Sequence, residues 1–210
     1  MGGADYGPRL IAKNADFTPD NLQALKKIAI PGKNTSAALS LQIMLREQSL
    51  EPELVVYDFK DVSRAILEGE VDAGVIIHEG QLTFQNSKLH LLSDLGEWWH
   101  KKTSLPLPLG INVISNKLDK EAQEIAAGAL FKSIKYSLDN REQALDYAMK
   151  YARGISREDA DTFVGMYVND LTLNIGNAGK ESITLFLTKA FEHKLIPQLP
   201  EMKFIDPKAL

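Results

Sequence analysis

The apolar positions fall into two textures. Up to about residue 115 they form short runs separated by turn formers. Beyond it they recur at helical spacing. Residues 9–12 follow a Gly-Pro turn and read as a strand, as do 27–30, which Pro31-Gly32 stops. From Thr35 the apolar residues Leu39, Ile43 and Met44 repeat as on one helix face, and Thr35 or Ser36 is placed to cap the first turn. Residues 54–57 read as a strand, 61–68 as a helix opened by Asp61 and ended at Gly69, and 71–77 as a nearly all-apolar strand. Residues 89–92 form another strand and 95–101 a short helix. The prolines at 106 and 108 keep 105–108 extended, and 109–114 resumes as strand. Helices are expected over 120–138, 141–151, 157–168 and 180–194.

Alternation of strand and helix in the first part predicts right-handed βαβ units and an open parallel sheet covered by helices. Ligands bind such sheets outside the carboxyl ends of the strands. The loop from Pro31 to Ser36 and the run His78-Glu79-Gly80-Gln81 both follow strands, so the topology brings them to one edge.

Composition narrows the classes. A net charge of -4 with scattered Lys and Arg lacks the basic footprint of nucleic-acid binding, so a small-molecule partner is expected. The absence of cysteine removes disulfides, thiolate catalysis and Cys-based zinc sites. Residues 1–8 have neither a basic leader nor an apolar core, and no run approaches a membrane span, so no membrane partner and a cytoplasmic location are expected.

Each candidate site has a plain structural alternative. His78 directly after a buried strand can serve as a general base near neutral pH, with Glu79 fixing its tautomer, Gly80 admitting a ligand and Gln81 offering donor and acceptor. A strand-end histidine can equally be a hydrogen-bonded structural residue. The Asn34-Thr35-Ser36 helix start can hold a carboxylate on its amides and hydroxyls, with Lys33 adding charge. An ordinary capped helix needs only one of those hydroxyls. It is no phosphate-binding P-loop, since the Gly-Lys-Ser/Thr ending is missing. Trp98 and Trp99 can wall a planar ligand, although core is expected for at least one of them. His90, His100 and His193 show no metal-ligand spacing. Phe163, Met166 and Tyr167 share a helical face expected to pack in the core.

Four ordered runs also resemble a known family. They are Val71-Asp72-Ala73-Gly74-Val75-Ile76-Ile77-His78-Glu79-Gly80-Gln81, Asp94-Leu95-Gly96-Glu97-Trp98-Trp99, Leu105-Pro106-Leu107-Pro108-Leu109-Gly110 and Phe163-Val164-Gly165-Met166-Tyr167-Val168-Asn169. Together they are similar to the 1,4-dihydroxy-6-naphthoate synthases of the futalosine route to menaquinone. The runs match the chorismate dehydratases of the same route less well.

The resemblance implies a periplasmic-binding-protein type II fold, two α/β lobes with the substrate in the cleft. It implies a carbon-carbon lyase that cleaves cyclic dehypoxanthine futalosine to 1,4-dihydroxy-6-naphthoate with neither metal nor organic cofactor. His78 takes the place of the catalytic base, and Thr35 and Ser36 that of a substrate-binding pair flanked by Asn34 and Glu79. Residues 1–28 would be the remainder of lobe 1 and the crossing strand, 29–137 lobe 2 with His78, and 138–210 C-terminal helices returning to lobe 1. The family begins with a further α/β segment, so the first lobe is expected to be incomplete and the chain to be a fragment, a product of a misassigned start or one part of a split protein, with that segment or a second copy of the chain as partner. Uncovered apolar surface is then expected at Phe163, Met166 and Leu185. A non-catalytic protein of the same fold that captures a small carboxylate is the alternative reading.

Overall fold

A computed structural model describes residues 6–77, 81, 84, 87–152 and 154–206. Its centre is a five-stranded sheet built from β1 (Arg9–Ala12), β2 (Lys27–Ile30), β3 (Glu53–Val56), β4 (Ala73–Ile76) and β5 (His90–Asp94), in the order β3-β2-β4-β1-β5. The unit β2, α1 (Ser36–Glu47), β3, α2 (Val62–Leu67), β4 is the expected βαβ alternation, and β2 pairs parallel with both β3 and β4.

One strand departs from the parallel βαβ pattern. β1 enters between β4 and β5 and pairs antiparallel with each. A four-residue apolar run looks the same in either direction, so its pattern carries no orientation. β2, β3, β4 and β5 therefore share one direction and β1 opposes them.

Helix α1 covers one face. It buries Ala37, Ala38, Leu41, Met44 and Leu45 against Leu10, Ile28, Ile30 and Val75. On this face also lie α3 (Leu95–Thr103) and α8 (Gly176–Glu192), through Trp99, Phe186 and Ala190. Helix α2 covers the other face, placing Val62, Ala65 and Ile66 against Ile11, Ala29 and Ile76. Gly74 allows this approach, because a Cβ there would meet Val62 Cγ1 at 2.5 Å.

The remaining helices are α4 (Lys120–Asp139), α5 (Arg141–Met149), α6 (Arg157–Tyr167) and the short α7 (Asp170–Leu173). In the 20-residue α4, Gly128 is the one buried residue. Phe163, Met166 and Leu185, expected to lie uncovered, are half-buried, Leu185 against the main core. Exposed apolar residues occur on α4 and α5, at Ile125, Leu130, Tyr136 and Tyr147, and also outside them, at Leu118 and Phe191 among others. The strand expected over 109–114 is absent. Ile111 and Val113 are exposed, Val113 at 84%, and no strand edge offers them a ladder.

Candidate functional site

Because β1 opposes the other four strands, its first residue meets their carboxyl ends. Arg9 stands in register with Ile76 near the end of β4 and with Asp94 at the end of β5. The loop after β2 leads to the start of α1 on the same edge. His78 and Glu79, two and three residues beyond Ile76, lie outside the described residues.

At the α1 start, Thr35 is extended and caps the helix. Its Oγ1 accepts from the Ala38 amide at 3.1 Å and donates to the Gly32 carbonyl at 2.9 Å. Both capacities of this hydroxyl that matter locally are thus engaged by backbone. The Ser36 hydroxyl makes no hydrogen bond among the described residues. Asn34 and Lys33 are exposed. The amides of Ser36 and Ala37, which a helix start leaves without intrahelical partners, complete the oxygen-binding capacity of this corner. Of the Asn34, Thr35 and Ser36 group, the structure therefore assigns Thr35 chiefly to the cap and leaves Ser36 available.

A second cluster stands at the ends of β4 and β5. The Arg9 guanidinium donates through Nη1 to the Gln81 carbonyl at 2.8 Å, approaches Asp94 Oδ2 at 3.4 Å through Nε, and lies 5.7 Å from the Phe84 ring centre. Asp94 also caps α3, its Oδ1 accepting from the amides of Gly96 at 2.9 Å and Glu97 at 3.2 Å. Burial raises the Asp94 carboxyl above its ordinary range, against those amides and Arg9, which pull it down. Gln81 is 2% exposed, and its Nε2 donates to the Tyr167 hydroxyl at 3.3 Å, tying this edge to α6. Its Oε1 and the Tyr6 hydroxyl are buried without hydrogen-bond partners among the described residues.

The aromatic side of the cluster is continuous. Tyr6 meets Tyr167 edge-on with ring centres 5.2 Å apart, and Phe163 lies 4.7 Å from Tyr167. Burial, then the neighbouring Tyr167 hydroxyl, holds the Tyr6 phenol far above its ordinary range, and burial raises Tyr167 as well. Both stay protonated donors across the physiological range. Tyr6 is set by a backbone crossing: a Cβ on Gly96 would collide with the Tyr6 carbonyl, and the Leu95 amide donates to the Pro8 carbonyl at 2.9 Å.

Sequence reasoning singled out Gln81 and Tyr167 without joining them, and missed Tyr6, Arg9 and Asp94 as site residues. Asp94 preceding Leu95-Gly96-Glu97 is a legible helix cap, but nothing local marks its pairing with a residue 85 positions away. Trp99 is fully buried, as expected for at least one of the pair, and Trp98 packs at the margin of the same core. His90 Nε2 makes a structural contact with the Phe17 carbonyl at 3.1 Å. Among the described residues no group of three His, Cys, Asp or Glu is placed to hold a metal, and no helix is long and apolar enough to cross a membrane.

The fold is that of the periplasmic-binding-protein class. The periplasmic aliphatic sulphonate binding protein SsuA of Escherichia coli superposes with a TM-score of 0.62 at 15% identity, over 94% of this chain and 67% of its own. Protein AF1704 of Archaeoglobus fulgidus superposes with a TM-score of 0.79 at 38% identity, over 93% of this chain and 70% of that one. A family profile described as menaquinone biosynthesis matches residues 2–192, and the chain belongs to that family. Two 1,4-dihydroxy-6-naphthoate synthases are each 33% identical to it. The Streptomyces coelicolor protein aligns over 94% of this chain and 69% of its own length, the Thermus thermophilus protein over 97% and 72%.

Proposed function

We propose that this chain acts in menaquinone biosynthesis as a carbon-carbon lyase that converts cyclic dehypoxanthine futalosine to 1,4-dihydroxy-6-naphthoate, with His78 as general base. The observation that carries the reading is the convergence at one sheet edge. The chain leaves β4 toward His78 on the same edge as the α1 start, with its available Ser36 hydroxyl and amides. Similarity to the two naphthoate synthases supplies the substrate class.

The chemistry asks little of the protein. A base removes a hydroxyl proton, the adjacent carbon-carbon bond breaks in a retro-aldol sense, and the electrons pass into the substrate's carbonyl and incipient aromatic ring. One placed imidazole suffices for the proton. Ser36, the Thr35 helix start, Asn34 and Glu79 would hold the substrate's carboxylate and hydroxyls. No metal or organic cofactor enters the scheme, and the reaction suits a cytoplasmic enzyme.

The test is direct conversion. Purified protein, assayed both as the 210-residue chain and in a form carrying the remaining length of its relatives, is incubated with cyclic dehypoxanthine futalosine and naphthoate release is followed by chromatography. Release by either form supports the lyase. Ligand-dependent thermal stabilisation in both forms without any product would replace it with a non-catalytic binding protein for small carboxylates.

A further inference from the structure

We infer that residues 109–114 and one face of α4 form a docking surface for a further α/β polypeptide, which pairs a strand with the first and lays an apolar layer on the second. Such an assembly is independent of the proposed chemistry. In 109–114, Leu109, Ile111 and Val113 alternate with Gly110, Asn112 and Ile114, a composition suited to a strand. Yet no amide or carbonyl of this run makes a backbone hydrogen bond among the described residues, and it joins no strand of the sheet. Ile111 is 49% and Val113 84% exposed. Open backbone groups flanked by β-branched side chains are what a strand from another chain pairs with.

Helix α4, which follows directly, supplies the second half of the surface. It packs on α5 and α7, with Phe131, Ile134 and Leu138 half-buried. A different face carries Ala122, Ile125, Ala126, Ala129, Ser133 and Tyr136, which recur at helical spacing and bear no charge. Ala122 is half-buried and the other five are exposed. Lys132, Lys135 and Asp139 project to another side of the helix. A helix on the surface of a finished domain turns its uncharged stripe to the core and its charges to water. Here one apolar stripe is packed and a second is left open, beside a run of strand composition that has no ladder.

Length argues for the partner. The Streptomyces coelicolor and Thermus thermophilus synthases align with 94% and 97% of this chain but with only 69% and 72% of themselves, and AF1704 superposes on 93% of this chain with 70% of its own. The relatives' additional residues therefore lie outside the aligned span, as further structure rather than insertions within it. Strand pairing to 109–114 and an apolar cover for α4 are what a further α/β body of that size can provide together. A second copy of this chain is the competing occupant.

The 210-residue chain is co-expressed with the part of the Thermus thermophilus synthase that lies outside the alignment, and the products are sized by native mass spectrometry and probed by hydrogen exchange. A one-to-one complex is expected, in which amides of 109–114 exchange about 100-fold more slowly than in the chain alone. Asn112→Pro and Val113→Pro remove neighbouring amides that face opposite edges, and at least one of them should weaken the complex about 10-fold. Ile125→Asp should weaken it by a similar factor, about 10-fold. All three positions are exposed, so the variants should keep the circular dichroism spectrum of the parent. The exchange measurement on the parent needs none of them. Absence of a complex overturns the inference, as does a complex that leaves exchange in 109–114 unchanged. Self-association of the chain alone that Ile125→Asp abolishes also overturns it, since the occupant is then a second copy.

Discussion

The indole of Trp99 donates its N–H to the Ser182 hydroxyl at 3.1 Å, and the Ser182 hydroxyl donates in turn to the Pro106 carbonyl at 2.7 Å. This buried relay joins α3, α8 and the extended 105–108 segment. With Ser182→Ala the indole N–H loses its partner in a site without water access, and the cost is about 2 kcal/mol. Urea unfolding followed by circular dichroism checks it, an unchanged midpoint being the contrary result.

Glu47 at the end of α1 accepts from Lys102 on α3 and Lys189 on α8, each at 2.6 Å, and its side chain is 10% exposed. Burial opposes its charge, but the two ammonium groups prevail and hold its carboxyl below the usual 4.5. A carboxyl depressed in the folded state adds stability above the unfolded-state pKa, and that stability is lost as pH falls through the folded value. Glu47→Gln should therefore cost about 1–2 kcal/mol at pH 7, since the lysines are partly exposed, and progressively less below about pH 4.5. Unfolding midpoints of parent and variant across pH 3 to 7, approximate limits set by that linkage, give the comparison. A gap that widens toward acid would refute the assignment.

The crossing of the Tyr6 backbone over Gly96 leaves no room for a side chain. Gly96→Ala must push residues 6–7 away from α3 at a cost of about 3 kcal/mol, with displacement of Tyr6 from Tyr167. Thermal unfolding reads the cost. An alanine variant as stable as the parent would show that the crossing is slack.

The two hydroxyls at the α1 start should separate. Thr35→Ala loses the cap and about 1 kcal/mol of stability, whereas Thr35→Ser retains it. Ser36→Ala leaves stability within about 0.5 kcal/mol. If Ser36 holds substrate, its loss raises KM about 10-fold. Equal effects of Thr35→Ala and Ser36→Ala on stability, with none on KM, would reduce this corner to a capped helix.

Much of the sheet was legible. Residues 27–30 and 9–12 form strands where their apolar runs placed them, and Thr35 caps α1, because these features depend on local sequence alone. The direction of β1 was not legible, since strand sense is fixed by where the chain arrives, not by its own four residues. The run 109–114 has apolar alternation but no partner strand, and pattern without a ladder leaves it irregular. The start of α8 at Gly176 was placed late because glycine and asparagine are weak helix formers that packing overrode. At the site, the edge was foreseen from topology. The link of Arg9 to Asp94 and Gln81 was not, because contacts separated by 85 and 72 positions leave no local signature.

The central claim is that a base at position 78 cleaves the substrate. His78→Ala, in a form of the protein that shows turnover, should abolish naphthoate release while binding of cyclic dehypoxanthine futalosine stays measurable by calorimetry. Near-normal turnover by His78→Ala would contradict the account.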